Sequence, residues 1–114
     1  MTGTHDGAPA PEDVLLALAD PIRRQILGAL VGEGGATSTS LAAALPVTRQ
    51  AVAKHLAVLD RAGLVRGRRT GREVRYEAHL QPLERATRWL NALAAQWDRR
   101  LDAIKDIAER EEPS

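Results

Sequence analysis

The tightest constraint on this chain is a change of period at Gly63. Upstream, Val52, Leu56 and Leu59 recur at the spacing of one helical face, behind Thr48 as N-cap. Downstream, Leu64 to Arg69 and Val74 to Ala78 read at period two as strands. Thr70-Gly71 supplies the turn between them, Gly71 being free to take positive φ. A two-stranded hairpin alone is marginal, so it must lean on a helical body.

That body is legible upstream. Pro11-Glu12-Asp13 opens a helix, with acids in the first turn where the helix dipole favours them. Asp20-Pro21 restarts the chain as N-cap and first helical residue, and Ile22, Ile26, Leu27 and Leu30 share one face. Gly32 to Gly35 ends that helix. Thr37 to Ser40 caps a third helix of about two turns, carrying Leu41, Ala42 and Leu45, which Pro46 breaks. A short helix, a tight turn and a longer helix make a helix-turn-helix, and the hairpin directly after it reads as a wing.

From Pro82 to about Arg110 the helical period returns. Leu83, Leu90, Trp97 and Ile104 lie seven apart, with Leu93, Leu101 and Ile107 interleaved. This helix is roughly 40 Å long, more than one small domain covers. A subunit contact is expected along it, formed by Val14, Leu15, Leu18, Leu83, Leu90, Leu93, Trp97, Leu101 and Ile104. Trp89 and Trp97 are assigned to the body or that interface. The predicted layout is a disordered tail over 1–10 and one winged-helix domain over 11–110. Within it the helix-turn-helix spans about 38–62, the wing about 64–78 and the terminal helix about 82–110. The fold class is mainly α with a small β-hairpin, a winged helix-turn-helix that dimerises through its terminal helices.

Composition narrows the function. The absence of cysteine excludes a disulfide frame, thiolate metal ligation and thiol redox sensing. No apolar run is long enough to span a bilayer, and the N-terminus lacks the pattern of a signal peptide, so a cytoplasmic protein with no membrane partner is expected. The net charge of +1 conceals segregation. Residues 49–75 hold eight Arg or Lys and two acids, a net +6, whereas the remainder nets −5. Such a footprint, coincident with a helix-turn-helix, points to double-stranded DNA.

In a helix-turn-helix the N-terminal part of the second helix enters the major groove. Thr48, Arg49, Gln50, Ala51, Ala53 and Lys54 lie off the buried face. Arg pairs bidentately with guanine and Gln with adenine, so Arg49 and Gln50 are expected to read bases. Ala51 or Ala53 fits a thymine methyl, and Lys54 a base or a phosphate. Thr48 caps the helix and is placed for a backbone phosphate, while His55 is expected to pack. On the wing, Arg68, Arg69, Arg72 and Arg75 are the phosphate candidates, with Arg69 and Arg72 nearest the tip. Val74 and Tyr76 share the inward face. Enzyme chemistry has no support: Ser38 and Ser40 sit in a cap-rich turn without His and Asp partners, and no Gly-rich phosphate loop follows a strand. A winged-helix module that binds protein is the other rival, which the +6 segment disfavours.

These stretches also resemble a known family. "LALADPIRRQILGALV" is similar to the helix pair that opens ArsR-type winged-helix repressors. "TSTSLAAALPVTRQAVAKHLAVLDRAGLV" is similar to their helix-turn-helix, and "RRTGREVRYEA" to their wing. The resemblance covers about residues 14–79, and the long last helix is similar to the family's dimerisation helix. It implies a homodimeric bacterial transcription factor, usually a repressor of its own promoter. Metal-sensing members place cysteines in the helix before the recognition helix; here that helix reads "STSLAAAL". Others use Asp, His and Glu in the last helix, which here holds Asp98, Asp102 and Asp106 but no His. The chain's histidines are His5, His55 and His79. No metal site and no cofactor are therefore expected, and no effector is assigned; a metal-responsive or small-molecule-responsive repressor is the alternative within the family.

Overall fold

The computed structural model describes residues 9–111. The order of elements is α1 (Pro11–Leu18), α2 (Pro21–Glu33), β1 (Ala36–Thr37), α3 (Ser38–Ala44), α4 (Arg49–Arg61), β2 (Val65–Thr70), β3 (Glu73–Ala78) and α5 (Gln81–Glu111). Of the tail expected over 1–10, residues 1–8 lie outside the described residues; Ala10 is the N-cap of α1.

Helices α2, α3 and α4 begin where the sequence provides a side-chain cap. Asp20 accepts from the backbone N–H groups of Ile22 (2.8 Å) and Arg23 (3.2 Å), with Pro21 at the first helical position. Thr37 and Ser40 form a reciprocal capping box at α3. Thr48 accepts from the N–H of Ala51 at 3.1 Å and opens α4. Helix α2 ends within the Gly32–Gly35 run, as expected: it passes through Gly32 and stops at Gly34 in the left-handed conformation (φ 70°).

The wing is larger than a hairpin. Its sheet has three antiparallel strands in the order β1-β3-β2, so β3 is central. β1 pairs Ala36 with Tyr76 and Thr37 with Arg75. The hairpin pairs Val65 with Ala78 through Thr70 with Glu73. That register places the turn at Gly71-Arg72, not Thr70-Gly71, and Gly71 has φ 66°. Positive φ at the first turn position only is the sign pattern of a type II′ turn. Gly63, at φ 78°, joins α4 to the wing; a Cβ there would lie 2.9 Å from the ring of Pro9. Both the conformation and the close approach require glycine.

One core joins these parts. It contains Val14 and Ala17 of α1, Ile26, Leu27 and Leu30 of α2, and Leu41 of α3. Val52, Leu56 and Leu59 of α4, with Leu64, Val65 and Ala86, complete most of it. No buried side-chain N or O among the described residues lacks a hydrogen-bond partner. Val14, expected at the subunit contact, is corrected by its 1% exposure: it serves the chain's own core and has no surface left for a partner. Helix α1 turns this residue inward because the first turns of α5 pack across α1.

Beyond Leu93 the environment changes. Every residue of α5 from Ala94 to Arg110 is exposed. The radius of gyration is 20.1 Å, against about 13 Å for a compact domain of ~100 residues. The distal part of α5 projects from the body.

Candidate nucleic-acid interface

Helix α4 is pinned by one face and open on the other. Val52, Leu56 and Leu59 are fully buried. Each such side chain contributes about 1.5–3 kcal/mol of burial, enough to fix the helix rotation. That rotation leaves Thr48, Arg49, Gln50, Ala53 and Lys54 exposed on one side. Ala51 is only half-exposed, and His55 is half-buried. The Thr48 hydroxyl is occupied as acceptor by its cap bond, while its own O–H remains available to donate.

The wing flanks this face with two different arginine sets. Strand alternation and the pairing register put Val65, Gly67, Arg69, Val74, Tyr76 and Ala78 on one face. Arg66, Arg68, Thr70, Glu73, Arg75 and Glu77 share the other. Tyr76 packs against the core, and its ring covers Gly67, where a Cβ would meet Tyr76 Cε1 at 3.0 Å. Arg69 shares this inward face but is exposed because it lies near the tip. Arg72 sits in the turn itself. Arg68 and Arg75 stand directly opposite each other, a like-charge pair that costs stability unless an anion relieves it.

Arg75 differs from the rest: it donates from Nη2 to the carbonyl of Gly35 at 3.2 Å, tying the central strand to the end of α2. Arg66 also lies on the exposed face, and its Nη2 is 3.3 Å from His79 Nε2. Among the described residues the sole side-chain ion pair within 4.0 Å is Arg23 with Asp20. Arg49, Lys54, Arg68, Arg69 and Arg72 therefore carry positive charge without a carboxylate beside them. A dense basic face left uncompensated by its own chain is suited to a polyanion.

Two features behind the interface were missed in the sequence reading. Arg23 and Arg24 of α2 reach back to α1: Arg23 Nε donates to the Ala17 carbonyl (2.6 Å) and Arg24 Nη1 to that of Leu18 (2.7 Å). The signal was available, since α1 has no basic residue in its last turn and the Arg pair follows the Asp-Pro break. Partial desolvation pushes the Asp20 pKa up, but the N–H groups of Arg23 and Ile22 together with the charge of the neighbouring His55 and Arg23 side chains outweigh it, and the net value is lowered.

The expected subunit surface is distributed unevenly. Leu18 and Leu83 are half-buried against the core, and Leu15 and Leu93 are also half-buried. Leu90, Trp97, Leu101 and Ile104 are exposed by 41–61%, and Ile107 continues the stripe. On α1 the exposed apolar residue is Leu16, at 69%, one position on from the Leu15 that was expected. Trp89 is half-buried.

This arrangement has solved counterparts. An ArsR-like transcriptional regulator from Rhodococcus sp. RHA1 is 47% identical, with a TM-score of 0.76 over 86% of this chain and 92% of its own. The chain belongs to the ArsR family of transcriptional regulators. A helix-turn-helix domain model matches residues 18–68 of this ArsR-family chain, from the end of α1 into β2. Over 67 residues it is 46% identical to the HTH-type transcriptional regulator CmtR of Mycobacterium tuberculosis. That match spans 56% of either chain, so it reaches only about half the length of the curated relative. HlyU from Vibrio cholerae is 29% identical, with a TM-score of 0.59 over 72% of this chain and 85% of its own. Among the described residues of this ArsR-family chain, no group of three or more His, Asp or Glu is gathered to hold a metal ion. No described helix is long and apolar enough to cross a membrane.

Proposed function

We propose that this chain binds double-stranded DNA as a homodimer and represses transcription from an inverted-repeat operator. The observation that carries the reading is the exposed Arg49-Gln50-Ala53-Lys54 face on a helix held rigidly from behind. Arg49 presents a guanidinium fork suited to guanine, and Gln50 an amide suited to adenine. Ala53 offers a methyl to thymine and Ala51 a partial one. Lys54 and the Thr48 hydroxyl are set for the adjoining backbone. Arg69 and Arg72 at the wing tip, with Arg68 below them, hold phosphates or enter the minor groove. Arg75 assists from the same face as Arg68 while its bond to Gly35 keeps the strand in place.

Dimerisation supplies the second half-site. The stripe Leu90, Trp97, Leu101, Ile104 and Ile107, with Leu93 and Leu16 beside it, is too apolar to remain in water along a projecting helix. Pairing these helices buries the stripe and sets two recognition helices about one helical turn of DNA, ~34 Å, or a small multiple apart. Leu15, Leu18 and Leu83 border that contact from the body.

The test is a salt titration of binding to a labelled duplex, read by fluorescence anisotropy. A linear fall of log affinity with log salt, steep enough for several phosphate contacts, is the expected result. Affinity indifferent to salt, or no binding to any duplex, sinks the proposal and leaves a winged-helix module for a protein partner.

A further inference from the structure

Helix α4 is held from its own buried face and also by one side chain reaching from α2. The guanidinium of Arg23 is shared between two helices. Nε donates to the Ala17 carbonyl at 2.6 Å and Nη2 to the Leu16 carbonyl at 3.3 Å, both in the last turn of α1. Its remaining nitrogen, Nη1, lies 3.4 Å from Nδ1 of His55 on α4. Arginine cannot accept a hydrogen bond, so His55 must accept through a lone pair on Nδ1, with its proton on Nε2. The Asp20 carboxylate, 4.0 Å from Nη1, steadies the guanidinium from the other side.

Capping α1 does not by itself require this geometry. Arg24 already satisfies the Leu18 carbonyl, and a lysine at position 23 would suffice for one of the two remaining carbonyls. The fork of an arginine is needed to engage α1 and α4 at once. His55 follows Lys54 directly and lies six residues, about 9 Å of helix, from Arg49. A tilt of α4 at His55 therefore moves the whole set of exposed reading side chains. Helix α1 in turn packs against the first turns of α5, the helix that carries the apolar stripe.

We propose that Arg23 is a positioning residue for base reading: by bonding the end of α1 and His55 together, it makes the tilt of α4 depend on the helix layer formed by α1 and α5. The proposal rests on the DNA-binding reading above. It assigns His55 no contact with a base; His55 is the acceptor through which the tilt is fixed.

The test compares two duplexes, one selected by the wild-type protein from a randomised pool and one of random sequence. Wrong tilt should harm base reading and spare phosphate binding. Loss of this charge-assisted bond in His55→Leu should therefore lower affinity for the selected duplex roughly tenfold and leave the random duplex within about twofold. His55→Asn places an amide oxygen near the position of Nδ1 and should restore most of the loss. Arg23→Lys should reproduce the His55→Leu effect. The double variant Arg23→Lys/His55→Leu should lose no more than either single one, because both remove the same bond. A merely structural role would lower binding to both duplexes alike and would not be rescued by Asn. Wild-type discrimination in His55→Leu, failure of the Asn rescue, or additive losses in the double variant would each overturn the proposal. Additive losses are also the outcome of a direct contact between His55 and a base. If the wild-type protein selects no duplex, the DNA-binding reading fails instead, which is a distinct result.

Discussion

Arg49 and Gln50 occupy adjacent positions but carry different information. The guanidinium offers donors only, whereas the amide offers a donor and an acceptor, so the two side chains suit different base edges. Arg49→Ala and Gln50→Ala should each cost about 1–3 kcal/mol of binding to a selected duplex and relax preference at one base position apiece. Repeating the selection with each variant checks this; an unchanged preferred sequence for Gln50→Ala would remove it from the reading face. Asp20 makes a prediction of a different kind. Its folded pKa is lowered, so the unfolded chain binds its proton first as pH falls. The cap's contribution is therefore present at neutral pH and above the unfolded pKa, and it is lost as pH drops through the folded value. Thermal midpoints measured from pH 7 down to 3 should fall more steeply for the wild type than for Asp20→Asn, which caps without titrating.

The elements differ in how much of them the sequence disclosed. Helices α2, α3 and α4 were legible because Asp20, Thr37 and Thr48 are strong caps ahead of clear apolar periods. The hairpin was legible from alternation, although its turn lies one residue later than the Thr-Gly pair suggested, at Gly71-Arg72. Strand β1 was not legible. Two residues have no period, and Ala36-Thr37 pairs only because β3 offers it a free edge. Nor could the sequence show that Arg75 is engaged with Gly35, or that Arg23 spans two helices, since both are long-range contacts. The wing predicts two separable effects. Gly67→Val sets a side chain against the ring of Tyr76 and should destabilise the fold by about 1 kcal/mol or more, seen as a lower denaturant midpoint. Arg72→Ala, in an exposed turn, should leave that midpoint unchanged. It should weaken binding to all duplexes alike and reduce the salt slope by about one phosphate contact.

For the whole molecule, the governing feature is the exposed stripe on α5. A spacing of three and four links Leu90, Leu93, Trp97, Leu101 and Ile104, which made the apolar stripe readable without any structure. The same pattern could not reveal that Val14 belongs to the core, because inward and outward faces of a two-turn helix are both apolar here. Leu101→Asp places a charge at the middle of the stripe. Sedimentation equilibrium should then find a monomer for this variant and a dimer for the wild type, and affinity for an inverted repeat should drop toward that for a single half-site. Circular dichroism of this variant should retain the signal of the folded body, whose core lies elsewhere.

Strand β1 also bears on how such a chain can vary among its relatives. The linker between α2 and α3 looks like an ordinary connection, yet its length is fixed at both ends. Gly34 closes α2, Thr37 opens α3, and Ala36 and Thr37 are in register with Tyr76 and Arg75. One inserted residue would turn Ala36 from the core to solvent and pull Gly35 away from Arg75. Insertions and deletions in homologous sequences should therefore be rare between Gly34 and Ser38 and concentrated instead at the Gly71-Arg72 tip.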